Sequence, residues 1–192
     1  MFSTFCERSK KIIVEIVDVI KAKKRGTINL KQLKKDGLKI GKNFNAMHGT
    51  IIDPGHCWLI EIGDNVTFAP RVHILAHDAS MKKSLGYTKI ARVSIGNNVF
   101  LGAGTIVLPG VQIDDNTIVG AGSVVPRSLI GGGVYVGNPA KKISEYDEWI
   151  EKEQQNINSK IKYDETYKIN NISEEKKEKM KIDLISDFGY CS

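Results

Sequence analysis

The chain has 192 residues, 41% of them hydrophobic and 26% charged, with a formal net charge of +6. This length holds one domain, or one domain with appendages, and is enough for a real core; no apolar run of about 18 residues is present to cross a membrane. The positive charge favours an anionic partner without choosing among a phosphorylated cofactor, nucleic acid and a membrane surface.

In chain order, the first predicted element is helical. Phe5, Ile12, Ile13, Ile16, Val17, Val19 and Ile20 share a broad face with lysines between them. Such a face packs under the next element as a cap or rests on an anionic membrane, and capping is the preferred reading. Glu15 and Asp18 interrupt the apolar run, so the segment does not read as a signal peptide and a cytoplasmic location is expected. Cys6, Cys57 and Cys191 are an odd set without framework spacing. Free thiols in a reducing compartment are therefore predicted, and Cys57, with nothing nearby to lower its pKa, is read as packing.

From residue 95 a period of six takes over: IGNNVF, LGAGTI, VLPGVQ, IDDNTI, VGAGSV, VPRSLI. The first positions, Ile95, Leu101, Val107, Ile113, Val119 and Val125, are all aliphatic. The fifth positions are mostly small or β-branched, and Gly, Asn and Asp are common at the second and fourth. A six-residue period fits neither a helix nor a simple alternating strand. It fits short strands joined by tight turns, stacked coil upon coil, with three hexads to a triangular turn. The same beat is present upstream at Ile62, Phe68 and Ile74, and LKIGKN at 38–43 reads as an earlier coil. It breaks after Ile74, where LAHDASMKKSLGYTKIARVS fills residues 75–94. A long loop leaving a packed coil is a place where function concentrates.

The stretches IEIGDNVTFAPRVHILAHDAS, VSIGNNVFLGAGTIVLPGVQIDDNTIVGAGSVV and VGNPAKKI resemble the hexapeptide-repeat acyltransferases. The likeness is to the sugar O-acetyltransferases of the maltose, galactoside and nodulation-factor type. It implies an all-β solenoid, a left-handed parallel β-helix. The hand comes from the resemblance alone, since parallel crossovers are normally right-handed. The resemblance also implies acetyl-CoA as co-substrate, a sugar or glycan acceptor such as a surface-polysaccharide precursor, and a homotrimer in which the 75–94 loop packs on the adjacent subunit. No nucleic-acid partner is expected, and peripheral membrane contact stays open for a lipid-linked acceptor.

Acetyl transfer to a hydroxyl needs a base, and imidazole suits that task near neutral pH. In the resembled family a histidine in this loop is the base, which places His77 in that role. His73 is read as structural, and Asp78 as either a turn former or a substrate contact. The sequence does not reveal which group orients the His77 ring. Relatives hold the acceptor with polar residues of the preceding coil. That makes Asp53, His56 and Trp58 candidates for acceptor binding, against a plain Asp-Pro-Gly turn followed by a buried Trp. A zinc reading rests on His48, His56, His73 and His77, but their spacing does not match the carbonic anhydrases of the same fold, so no metal is expected.

Relatives bind pantetheine along corners of small residues, which implies a donor groove at Ala103, Gly104, Ala121 and Gly122, with Phe100 as an aromatic wall. Pro126, Arg127, Lys141 and Lys142 are implied at the adenosine end, where cations pair with phosphates. After residue 143 the beat is gone. SEYDEWIEKEQQN and SEEKKEKMKIDLIS read as two helices separated by a polar linker. The expected organisation is an N-terminal helical cap at 1–37, the β-helix at 38–143 and a helical extension at 144–192. Two rival functions share the fold: acetylation of a chloramphenicol-type xenobiotic, and N-acetylation of a nucleotide-linked amino sugar. A third, from another class, is a non-catalytic β-helical assembly subunit.

Overall fold

A computed structural model describes residues 28–192. The amphipathic face at residues 5–20 lies outside the described residues. A short helix α1 (Leu30–Lys35), capped by the Asn29 side chain on Gln32 N, leads into the first coil. That coil is β1 (Lys39–Ile40), β2 (Asn45–Ala46) and β3 (Ile51–Ile52). The second is β4 (Ile60–Ile62), β5 (Thr67–Phe68) and β6 (His73–Ile74). A hairpin of β7 (His77–Asp78) and β8 (Lys89–Ile90), with α2 (Lys82–Leu85) between them, then leaves the stack. The third coil is β9 (Val93–Ile95), β10 (Phe100–Leu101) and β11 (Ile106–Val107). The fourth is β12 (Gln112–Ile113), β13 (Thr117–Val119) and β14 (Val124–Val125). β15 (Gly133–Val136) adds one more rung, and β16 (Lys141–Ser144) folds back against it antiparallel.

Three sheets result, one per face of the prism. They run β1-β4-β9-β12, then β2-β5-β10-β13-β15-β16, then β3-β6-β11-β14, and every pairing between coils is parallel. The hexad beat explains the interior. Ile95, Leu101, Val107, Ile113, Val119 and Val125 are all buried, and so are Ile62, Phe68 and Ile74 from the coil below. Each contributes about 1.5–3 kcal/mol by leaving water. The fifth-position residues Val99, Thr105, Val111, Thr117 and Ser123 turn inward at the corners and are buried too.

The polar corner residues have their own reason. Asn43, Asn65, Asn98 and Asn116 all adopt φ between 53° and 56°, a conformation that asparagine tolerates better than most residues. Their side chains form a ladder from coil to coil, with N–H···O distances of 2.9, 3.1 and 3.0 Å. At another corner a Cβ on Gly102 would lie 2.4 Å from Ala121 N, so only glycine lets those coils close.

The register between coils carries the functional information. Equivalent residues are 18 apart between the third and fourth coils, 22 apart between the first and second, and 33 apart between the second and third. The extra residues enter at one place in each coil. Residues 53–59 join β3 to β4, and residues 75–92 join β6 to β9, so both insertions emerge at the same edge of the prism, one above the other.

Residues 147–192 form a second compact unit, and the division falls at Tyr146/Asp147. α3 (Tyr146–Ser159) begins at that boundary and α4 (Glu174–Asp183) starts at the Ser173 cap, in line with the two helices predicted. Between and after them, β17 (Lys162–Tyr163) pairs in parallel with β18 (Tyr190–Cys191), and Tyr190 Oη donates to Glu153 at 2.7 Å. The C-terminal residues, which carried no sequence signal, are thus a strand. Among the described residues no helix is long and apolar enough to cross a membrane.

Candidate active site

His77 sits at the root of the loop hairpin, where β7 leaves the packed coil. Its backbone pairs with Ile90 across the hairpin, which fixes the ring at the prism edge while the hairpin tip extends away. The ring is partly exposed, with 37% of the side chain accessible. Directly beneath lies Asp53, which follows the core residue Ile52 and whose N–H donates to Ile74 O at 2.9 Å. The His77 Nδ1–H donates to Asp53 Oδ2.

Asp53, a candidate for sugar binding, is turned towards its own chain in this structure. It is 1% exposed. Oδ2 also accepts from Ala76 N at 3.0 Å, and Oδ1 accepts from Gly55 N at 3.0 Å. Burial pushes the carboxyl pKa up, but the His77 ring N–H and the two backbone amides outweigh it and hold the group below the usual carboxylate range. A buried anion held by three donors is fixed in place, and it in turn can fix the ring that donates to it.

His56 and Trp58 complete the cluster. The His56 ring centroid is 5.0 Å from that of His77 and 5.4 Å from that of Trp58, which is 54% exposed. Trp58 is therefore not a buried tryptophan; its ring face is open beside the two histidines. His56 Nδ1 lies 4.0 Å from Asp53 Oδ1. Cys57, between them in sequence, points the other way. It is fully buried, its Sγ lies 3.6 Å from both Leu33 O and Asp36 O, and burial raises its pKa, which suits packing against α1.

Asp78 is not drawn into this cluster. It is exposed, and its Oδ1 accepts from Ser80 N at 2.8 Å, the geometry of a turn former. The predicted donor edge lies elsewhere on the prism. Gly122 N donates to Ala103 O at 2.8 Å, so the two small corners stack. A Cβ at Gly104 or Gly122 would meet nothing within 4 Å, so this edge is open along its length. Phe100 is 42% exposed on the middle face. Ala140 N donates to Val124 O at 2.8 Å, which brings the turn before Lys141 alongside the strand that leads to Pro126 and Arg127. Lys142 is already engaged: its Nζ is 2.5 Å from Glu145 Oε2 and 6.0 Å from the Tyr135 ring centroid.

Asp53, His56 and His77 bring ligand-type atoms within 4.8 Å of one another. Sequence spacing did not anticipate this grouping, because His56 and His77 belong to different coils. The Asp53 oxygen nearer His77 already receives two hydrogens, so the arrangement is complete as a hydrogen-bonded pair.

Residues 92–127 match the family model "Bacterial transferase hexapeptide (six repeats)". Residues 92–127 thus carry the bacterial transferase hexapeptide repeats, and the β-helix they belong to is similar to the galactoside and maltose O-acetyltransferases. The chain is 39% identical over 114 residues to Protein CapG of Staphylococcus aureus, covering 56% of this chain and 66% of that protein. Among solved structures, a maltose O-acetyltransferase from Clostridium difficile 630 is 39% identical with a TM-score of 0.50, over 57% of this chain and 59% of that one. A galactoside acetyltransferase in complex with coenzyme A is 32% identical with a TM-score of 0.54, over 60% of this chain and 58% of that one. The chain thus spans less than two thirds of the length of each of these relatives. The hexapeptide domain has the left-handed parallel β-helix expected for it, a hand that the hexad spacing alone does not supply.

Proposed function

We propose that the chain transfers an acetyl group from acetyl-CoA to a hydroxyl of a sugar, with His77 as general base. The observation that carries this reading is the pairing of Nδ1 of the partly exposed His77 ring with a buried, ionised Asp53. That arrangement fixes the tautomer a base needs, with the lone pair on Nε2.

A sugar hydroxyl becomes nucleophilic as its proton leaves. His77 Nε2 takes that proton while the oxygen attacks the thioester carbonyl. Asp53 keeps Nδ1 protonated and stabilises the imidazolium that forms. The tetrahedral intermediate expels the thiolate, which receives the proton from His77. A C–O bond has replaced a C–S bond, and the base is regenerated. The thioester is already activated, so neither a covalent enzyme intermediate nor a metal enters the scheme. A backbone N–H at the carbonyl would stabilise the oxyanion.

The acceptor lies against His56 and Trp58, beside the base. Trp58 offers an open apolar face to a sugar ring. The pantetheine arm of the donor lies along the open edge at Ala103, Gly104, Ala121 and Gly122, with the adenosine end near Pro126, Arg127 and Lys141. Lys142 contributes less, because its charge is already answered by Glu145. The functional unit is a homotrimer, with the row Ile51, His73, Ile106 and Val124 on the β3-β6-β11-β14 face as the seam. The test of the reaction is thiol release from acetyl-CoA in the presence of a panel of pyranosides, with and without prior dialysis against a strong chelator. Acceptor-dependent release that survives dialysis is expected. Release that depends on no sugar, or that is lost with a metal and restored by it, would overturn the scheme.

A further inference from the structure

Asp53 is flanked by two imidazoles. Its Oδ2 receives the His77 Nδ1–H, and its Oδ1 lies 4.0 Å from His56 Nδ1. His56 Nδ1 is enclosed and has no hydrogen-bond partner among the described residues. A separation of 4.0 Å is too long for a hydrogen bond, yet a carboxylate at that range favours the tautomer with its proton on the nearer nitrogen. The lone pair of His56 is then on Nε2. His77 is in the same state, because its Nδ1–H is committed to Asp53. His56 Nδ1 is the one enclosed side-chain nitrogen or oxygen without a partner among the described residues, so neither Nε2 is shut away. One buried carboxylate therefore sets two imidazoles, 5.0 Å apart between centroids, with both acceptor nitrogens accessible.

A single reacting hydroxyl needs one such nitrogen. Two of them, on rings whose centroids are 5.0 Å apart, can each meet one of two hydroxyls on neighbouring carbons. We propose that His56 is a specificity-determining residue. Its Nε2 accepts a hydrogen bond from the hydroxyl adjacent to the one that His77 deprotonates, so the site selects vicinal diols of a pyranose ring. This rests on the acetyl-transfer reading with His77 as base. An acceptor lacking the second hydroxyl would leave His56 Nε2 unpaired in the closed complex, and sites built to bind a hydroxyl reject such analogues.

The experiment uses the whole chain, acetyl-CoA, methyl hexopyranosides and their monodeoxy derivatives, with thiol release as readout. For the best diol, the wild-type protein is expected to show a kcat/KM at least roughly 10-fold above that of the derivative lacking the neighbouring hydroxyl. His56→Phe keeps a ring and removes the acceptor atom, and the ratio is expected to fall towards 1. His56→Gln restores an acceptor oxygen and is expected to regain part of the ratio. A residue that merely packs against His77 would lower both rates together. An unchanged ratio in His56→Phe, a common drop on both acceptors, or a wild-type ratio near 1 overturns the proposal. Failure of the acetyl-transfer reading looks different: no pyranoside releases thiol even with the wild-type protein, and both readings fall.

Discussion

Asp53 stands one coil below His77, 24 residues earlier in the chain, and its Oδ2 accepts the His77 Nδ1–H. The pair exists because two insertions of unequal length leave the solenoid at the same edge.

Asp53→Asn tests the pair directly. The amide has one acceptor oxygen where the carboxylate has two, places an NH2 against a donor, and carries no charge, so the His77 tautomer is no longer fixed and the imidazolium loses its counter-charge. Turnover is expected to fall about 10²–10⁴-fold with little change in acetyl-CoA affinity. Steady-state kinetics with titration of the donor separate the two. A rise in the donor KM with turnover intact would instead place Asp53 in donor binding.

Acid stability follows from the same carboxyl. Its pKa is lower in the folded protein than in the unfolded chain, so the folded state binds fewer protons. The stability it contributes is full above the unfolded value of about 3.9 and is lost as pH falls below that towards the folded value. Denaturant unfolding of the wild-type protein and Asp53→Asn at stepped pH should show the difference between them shrinking only below about pH 4. A difference that shrinks above pH 6 would mean another group controls it.

Much of this was legible in the sequence, and the reason is the period. Every first hexad position from Ile95 to Val125 is buried, because a six-residue rung returns the same side chain to the interior. The break at His77 was legible as a break. The partner of His77 was not, since Asp53 and the ring are brought together by a step of 22 residues rather than 18. A signal was present: Gly41 and Gly63, and Asn43 and Asn65, are 22 apart, and extending that step sets Asp53 level with Leu75, two residues before His77. The β17–β18 pairing had no comparable signal, because two-residue strands far apart in sequence leave no period to read.

The donor groove makes a steric claim and an electrostatic one. Ala121→Trp should fill the open edge and abolish CoA binding without touching His77. Lys141→Glu combined with Arg127→Glu should weaken CoA more than dephospho-CoA, and the gap should narrow as salt rises. Calorimetric titration of both ligands reads both effects. Normal CoA binding by Ala121→Trp would move the donor to a different edge.

Assembly is argued from the outward residues of the faces. The first face turns Lys39, Glu61, Ser94 and Gln112 outward, a row suited to water. The third face turns out Ile51, His73, Ile106 and Val124, a row that water does not favour. A mass in solution near three times 21.3 kDa is expected, falling to the monomer value in Ile106→Glu. A wild-type monomer with full activity would contradict the trimer.

The central claim is that His77 takes the proton from the acceptor. The most direct measurement is the turnover of a folded His77→Ala protein, with acetyl-CoA affinity measured on the same sample. The account predicts a loss of about 10²–10⁴-fold in kcat with donor affinity nearly unchanged. Near-normal turnover in that protein would contradict it.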